Sequence, residues 1–285
     1  MHPPDALIRA VVSQALAEDI SWGDITTETV IPRDLHATAR ISARSAGVLC
    51  GISVMAESFR QVDALTVFAP ALADGAPLTN GARIAHVSGR AASLLTAERV
   101  ALNFLQRLSG IASLTACFVE ATRGTRARIV DTRKTTPGLR ILEKYAVRCG
   151  GGGNHRFNLA DGVLIKDNHL AALGSEPDPN GVAISRSRDG APHTMRIEVE
   201  VDSFEQLEAA LRAGADIILL DNMPATMLAE AVKRVNGRAL TEASGGVSLA
   251  TVRAIAESGV DLISVGALTH SAPALDIGLD FEISP

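Results

Sequence analysis

Arg133 and Lys134 follow the run RIVDT, His155 and Arg156 follow the glycines Gly150–Gly153, and Lys166 follows VLI. Arginine presents a planar fork suited to carboxylates and phosphates, and lysine a movable point charge. Gathering such cations costs self-repulsion that a polyanionic ligand would offset. His155 alone reads as a structural histidine; its neighbours make it a site candidate. Arg140, Lys144 and Arg148 recur at helical spacing in GLRILEKYAVR and read as a solvated helix face, with Glu143 available for pairing.

The acids have a pattern of their own. In RIEVEVDS, Glu198, Glu200 and Asp202 share one face of a strand, because the side-chain period there is two. Three acids on one face need cations or a metal to meet them. Asp221 closes the run IILLD. Singly each reads as a salt-bridge partner. Beside a phosphate site they suggest grip on sugar hydroxyls and on Mg²⁺, a hard cation that prefers oxygen ligands. Ser244-Gly245-Gly246 and Gly266-Ala267 supply that phosphate site, since backbone N–H groups after late barrel strands commonly hold one.

These residues need elements to hold them. Short apolar segments recur beyond Arg123, most followed by a helical stretch: ARIVDTRKT, GVLIKDNH, MRIEVEVDS, DIILLDNM, RALTEASGG and DLISVGALTH. Strands between helices indicate parallel βαβ units. Without a dinucleotide fingerprint, six of them favour a (β/α) barrel over an open Rossmann sheet. Barrel enzymes place their chemistry at the C-terminal strand ends, which here read Arg133-Lys134, Lys166-Asp167, Glu200-Asp202, Asp221-Asn222, Ser244-Gly246 and Gly266-Ala267. Residues 36–88 read as short strands broken by turns at Asp74-Gly75 and Asn80-Gly81. A strong helix follows, with Thr96 as expected N-cap and a break expected at Ser109-Gly110. The N-terminal stretch reads as an amphipathic helix and not a signal peptide.

Composition narrows the classes. Aromatics make up 3% of the chain, so the core must rest on aliphatic residues. A net charge of −5, with no basic tail, argues against nucleic-acid binding. No apolar run is long enough to span a membrane. Three widely spaced cysteines suit reduced thiols in a cytoplasmic protein better than a disulfide frame.

DTRKTTPGLRILEKYAVRCGGGGNHR (131–156) and LIKDNH resemble the signature segments of the quinolinate phosphoribosyltransferases, the carboxylating nicotinate-nucleotide pyrophosphorylases. The resemblance continues through WGDITTE (Trp22–Glu28), TAER (Thr96–Arg99), LSGIA (Leu108–Ala112), EVEVDS, LLDN, SGG and VGALTH, in order over nearly the whole chain. It implies transfer of a phosphoribosyl group from 5-phosphoribosyl-1-diphosphate to quinolinate, giving nicotinate mononucleotide, diphosphate and CO₂ with Mg²⁺, in de novo NAD biosynthesis. It also implies an N-terminal α/β sandwich domain, residues 1–113, with the tail from about 273 to 285 packing back on it. An incomplete α/β barrel would follow over 114–272, and the assembly would be a homodimer, with a higher oligomer left open. Arg99 would act in trans. Arg133, His155, Arg156 and Lys166, with the partner's Arg99, would hold the two carboxylates of quinolinate, and Thr132 would line the site. Lys134 and Lys166 would face the diphosphate, Glu200 and Asp221 the ribose hydroxyls and Mg²⁺. Ser244, Gly245, Gly246, Gly266 and Ala267 would cradle the 5-phosphate. Lys134, Lys166, Glu200 and Asp221 are the expected catalytic set, and Glu198 is not a principal ligand.

One segment departs from the family pattern. SEPDPNGVAISRSRDGAPHT (175–194) carries three prolines and two glycines where an amphipathic helix is usual, so an irregular excursion is expected. Three other functions fit parts of the pattern. A paralogue found with molybdate transport shares the glycine and NHR segments, but the intact IKDNH favours the NAD-pathway enzyme. A Schiff-base aldolase would use Lys166. A silent phosphate-ligand sensor would not need the complete set of cations and carboxylates.

Overall fold

The structure is a computed structural model describing residues 2–282. The chain divides into two compact units. One comprises residues up to Ala116, Thr135–Gly151 and the chain from Thr269 onward; the other comprises Cys117–Lys134 and Gly152–Leu268. This differs from a single cut between 113 and 114 chiefly in grouping 135–151 with the first unit.

In the first unit, α1 (Asp5–Asp19) buries Ile8, Val12 and Leu16 at four-residue spacing, the expected amphipathic helix. Helix α2 (Ile25–Val30) is capped by Asp24, whose carboxylate accepts the Thr27 N–H. Strand β1 (His36–Ala43) then buries alternate residues, Ala37, Ala39, Ile41 and Ala43. There follow β2 (Gly47–Val48), α3 (Ile52–Val62), β3 (Val67–Pro70), β4 (Pro77–Leu78) and β5 (Arg83–Arg90). Antiparallel pairing gives the order β1-β5-β3, while β2 pairs separately with β4. The core is aliphatic, built from Ile41, Leu49, Met55, Ile84, Val87, Leu94 and Leu105, with Phe59 as its one fully buried aromatic ring.

Two expectations fail on α4 (Ala91–Ala121), one unbroken helix of 31 residues. Thr96 lies inside it and donates to Asp24 instead of capping. Ser109-Gly110 makes no break. The Ser109 hydroxyl accepts the Cys50 N–H and donates to the Cys50 carbonyl. A Cβ on Gly110 would lie 2.0 Å from the Pro273 carbonyl oxygen, so this glycine admits a close backbone approach.

Helix α5 (Arg140–Cys149) is not the solvated face its charges suggest. Glu143 and Lys144 are fully buried; only Arg148 of the three basic residues is exposed. Glu143 accepts from Arg107 Nη2 at 2.9 Å, from the Thr136 N–H at 3.0 Å and from the Thr136 hydroxyl at 2.8 Å. A buried carboxylate needs partners of this kind in place of water. These bonds also give the physical reason for 135–151 grouping with α4.

The second unit holds β6 (Arg128–Val130), β7 (Val163–Ile165), α6 (Asp167–Ala172), α7 (Pro179–Gly190), β8 (Ile197–Val201), α8 (Phe204–Arg212), β9 (Ile217–Asp221), α9 (Ala225–Val235), β10 (Leu240–Ser244), α10 (Val252–Glu257) and β11 (Leu262–Ser264). Its six strands are all parallel in the order β6-β11-β10-β9-β8-β7. Consecutive residues such as Ile218, Leu219 and Leu220 are buried, as strands covered on both faces require. Strands β6 and β7 do not pair, so the barrel is incomplete. The free edge of β6 takes up the end of the glycine run: Gly153 donates to the Ile129 carbonyl at 2.8 Å, and Asp131 donates to the Gly153 carbonyl at 3.2 Å.

The segment 175–194 holds a helix after all, over Pro179–Gly190. Asp178 caps α7 by accepting the Gly181 N–H, and Pro179 stands in its first turn, where a missing N–H is harmless. Pro177 and Pro192 lie outside it, and Gly190 ends it. The breakers crowd the ends and spare the interior. After α11 (Ala267–His270) the chain returns through β12 (Ile277–Glu282), which pairs antiparallel with β1 from Ala43↔Ile277 to Thr38↔Glu282. Residues 283–285 of the expected tail lie outside the described residues.

Candidate active site

All six parallel strands send residues into one cavity of about 480 Å³ at their C-terminal ends. Thr132, Arg133 and Lys134 come from the end of β6, Lys166 from β7, Glu200 from β8, and Asp221 and Asn222 from β9. Strand β10 supplies Glu242, Ser244, Gly245 and Gly246, β11 supplies Ser264, and His155 and Arg156 arrive on the loop after the glycines. Leu164 and Leu219 add apolar wall. Of the residues singled out in the sequence, Gly266 and Ala267 do not line it, nor do Asp167, Glu198 and Asp202. Arg99 is an exposed residue of α4 in the first unit and is not among the lining residues.

The basic side is crowded. Burial and the neighbouring Arg133 guanidinium push the Arg156 guanidinium below its ordinary value, with Glu198 opposing. Arg156 also donates from Nη1 to the Gly162 carbonyl at 3.1 Å, which fixes one end of its fork. Lys134 is exposed, its N–H donating to the Thr132 hydroxyl at 3.0 Å. Lys166 pairs with Glu200 across adjacent strands, its side chain 45% exposed against 15% for Glu200.

His155 is held differently from the other basic residues. The Arg156 N–H donates to its Nδ1 at 2.8 Å, so the ring proton belongs on Nε2, which lies 3.0 Å from Glu198 Oε2. Asp131, fully buried, accepts the His155 N–H at 2.9 Å and the Asn154 amide at 2.7 Å. Both ring nitrogens are therefore engaged by the chain, and the ring orients the acids behind it.

The sequence reading missed Glu242. It is buried within LTEAS, two residues before Ser244 and so on the same strand face. Burial, then the Glu198 carboxylate, push its acid up to about 7; His155 and Ser264 oppose, and Asp131 adds a little in the same sense. The period-two spacing to Ser244 was the available signal, masked because the acid precedes the strand end. Asn222 was missed as a backbone device. It adopts φ 55° and donates its N–H to the Ser244 carbonyl at 2.8 Å. Gly245 has φ +89°, and a Cβ there would lie 2.2 Å from Asn222 Oδ1. Only glycine fits.

At and behind the cavity, among the described residues, two groups could hold a metal. Glu200 and Asp221 offer carboxylates to the cavity from the paired strands β8 and β9. His155, Glu198 and Glu242 place ligand atoms within 4.8 Å of one another, although the histidine already bonds Glu198.

Comparison with known proteins gives one answer. The quinolinate phosphoribosyl transferase N-terminal domain matches residues 24–109 and the C-terminal domain residues 111–280. The chain is 47% identical over 279 residues to the nicotinate-nucleotide pyrophosphorylase (carboxylating) of Mycobacterium leprae, covering 95% of this chain and 96% of that protein. It is 43% identical over 277 residues to the probable nicotinate-nucleotide pyrophosphorylase (carboxylating) of Bacillus subtilis, covering 97% and 94%. The nicotinate-nucleotide pyrophosphorylase structure from Francisella tularensis superposes with a TM-score of 0.92 at 37% identity, covering 99% of this chain and 98% of that one. With six strand ends converging on one cationic cavity and both domain models matched in order, the chain belongs to the quinolinate phosphoribosyltransferase family.

Proposed function

We propose that this chain transfers the phosphoribosyl group of 5-phosphoribosyl-1-diphosphate to quinolinate with decarboxylation, yielding nicotinate mononucleotide, diphosphate and CO₂. The observation that carries this reading is the single cavity in which Arg133, Lys134, Arg156 and Lys166 face Glu200, Asp221 and the Ser244–Gly246 turn. Arg133, Arg156 and Lys166 would hold the quinolinate carboxylates, with the partner's Arg99 completing the clamp in a homodimer. Lys134 and Lys166 would meet the diphosphate, and Thr132 the substrate edge. Ser244, Gly245 and Gly246 would bind the 5-phosphate through backbone N–H groups, with Gly266 and Ala267 acting behind the wall. His155 would position the loop and its acids more than it would touch substrate.

Breaking the C1–O bond of the donor builds positive charge on the ribose and negative charge on diphosphate. Glu200 and Asp221 would stabilise the first, Lys134 and Lys166 the second, in a preorganised low-dielectric site. Once ribosylated, the pyridine nitrogen becomes an electron sink for the bond to the neighbouring carboxylate, which leaves as CO₂. No nucleophilic side chain is needed. The two oxygen donors Glu200 and Asp221 fit Mg²⁺, which favours one or two carboxylates plus substrate phosphates; it would neutralise charge on the diphosphate. A cytoplasmic location follows from the same reading, supported by three widely spaced cysteines. The test is incubation with quinolinate, the phosphoribosyl donor and Mg²⁺. CO₂ and nicotinate mononucleotide should appear in equal amounts, and nicotinic acid should serve poorly. Equal use of nicotinic acid, or no product, would sink the reading.

A further inference from the structure

Two thiols lie together in the first unit, and the proposed chemistry uses neither. Cys50 is buried just before α3, and Cys149, the last residue of α5, is partly exposed. Their sulfurs and a carboxylate oxygen of Asp74 lie within 4.8 Å of one another. Such a trio suits either a soft metal or a thiol–disulfide pair, and Asp74 decides between them. Its Oδ1 accepts the N–H groups of Gly51 and Ile52 at 2.9 and 3.0 Å, and its Oδ2 accepts the Tyr145 hydroxyl at 3.0 Å. The carboxylate is committed to the start of α3 and to α5. Two sulfurs remain, too few for the four-coordinate site that zinc prefers.

We infer that Cys50 and Cys149 form a reversible intramolecular disulfide on exposure to a peroxide, making the pair a redox-modification site. The two thiols are unequal in the way such a reaction needs. A hydrogen bond from Cys50, helped by Tyr145 and opposed by burial, holds the Cys149 thiol below its ordinary range. Burial pushes the Cys50 thiol well above it. The accessible, more acidic thiol attacks first, and its buried neighbour resolves the product. The Cys149 thiolate attacks one peroxide oxygen; the O–O bond breaks, and the other oxygen leaves as hydroxide and is protonated to water. Cys149 is now a sulfenic acid. The Cys50 sulfur attacks the Cys149 sulfur, the S–O bond breaks, and hydroxide leaves with the Cys50 proton as a second water. Two thiols are oxidised and one peroxide is reduced.

An S–S bond of about 2.0 Å requires the sulfurs to approach. The link would tie the start of α3 to the end of α5 and close a loop of about a hundred residues. In a reducing compartment such bonds are transient and sensing.

The test uses the full chain with exposed Cys117 replaced by serine. Hydrogen peroxide is added, quenched, and the denatured protein alkylated. The expected product carries no alkylatable thiol, is about 2 Da lighter, and yields a peptide pair joining positions 50 and 149, all reversed by dithiothreitol. In Cys50→Ser, Cys149 should stop at a dimedone-reactive sulfenic acid. Two thiols surviving a peroxide dose that oxidises free glutathione overturns the inference, as does a link only between separate chains. Counting thiols does not depend on the enzymatic reading, so the two can fail separately.

Discussion

Lys134 and Glu200 stand on opposite electrostatic sides of the cavity, and each is given one task in the proposed transition state. Lys134→Ala should lower turnover by about 10²–10³-fold, the usual cost of one preorganised charge. Because Lys134 is exposed, its Tm should hardly move. Near-normal turnover in the folded variant would remove the lysine from the mechanism. Glu242 makes a different prediction. Its acid is raised from an ordinary 4.5 to about 7, so the native state binds the extra proton between those values. The stabilisation from that proton is complete below the unfolded value and lost as pH rises through the folded one. Glu242→Gln should gain stability relative to the parent chain between pH 5 and 8.5, by on the order of 2–3 kcal/mol. Parallel urea midpoints for the two proteins across that range would refute this. The four cations were legible from residue type alone. Glu242 was not, because nothing local says that a strand carboxylate will be desolvated beside Glu198.

At the scale of elements, glycine and charge had meanings that local rules misread. Gly110 lies mid-helix, where alanine is intrinsically better by about 1 kcal/mol. Gly110→Ala should nonetheless destabilise by about 2–3 kcal/mol, since the added methyl meets the Pro273 carbonyl at 2.0 Å. A denaturation midpoint above the parent's would show that the chain near Pro273 yields easily. Buried Glu143 organises α5 through Arg107 and Thr136, so Glu143→Ala should cost about 3–5 kcal/mol by stranding the arginine. Urea titration checks it, and a loss under 1 kcal/mol would mean that water takes over the arginine. Helix α7 teaches the converse. Pro179 looked like disruption and, behind the Asp178 cap, is its start. Composition counted the breakers, but their positions relative to the helix ends decided the outcome.

At the scale of the molecule, the proposed assembly makes Arg99 serve the partner's site. Arg99→Ala and Lys134→Ala should each be weak alone. Mixed under conditions of subunit exchange, they should recover about a quarter of parental activity, because half the dimers then hold one intact site of two. No recovery despite proven exchange would put Arg99 outside the partner's site. The sequence by itself determined the family, the parallel βαβ pattern, and most but not all of the side chains at one cavity, Glu242 being the omission and Gly266 and Ala267 the excess. Those follow from residue type at strand ends, which is a local property. Tertiary structure alone decided that Glu143 and Lys144 are buried, that α4 runs unbroken past Gly110, that His155 is turned toward Glu198, and that Cys50 meets Cys149. Each depends on which distant segment covers the residue, and burial, not identity, sets the charge state and the available room.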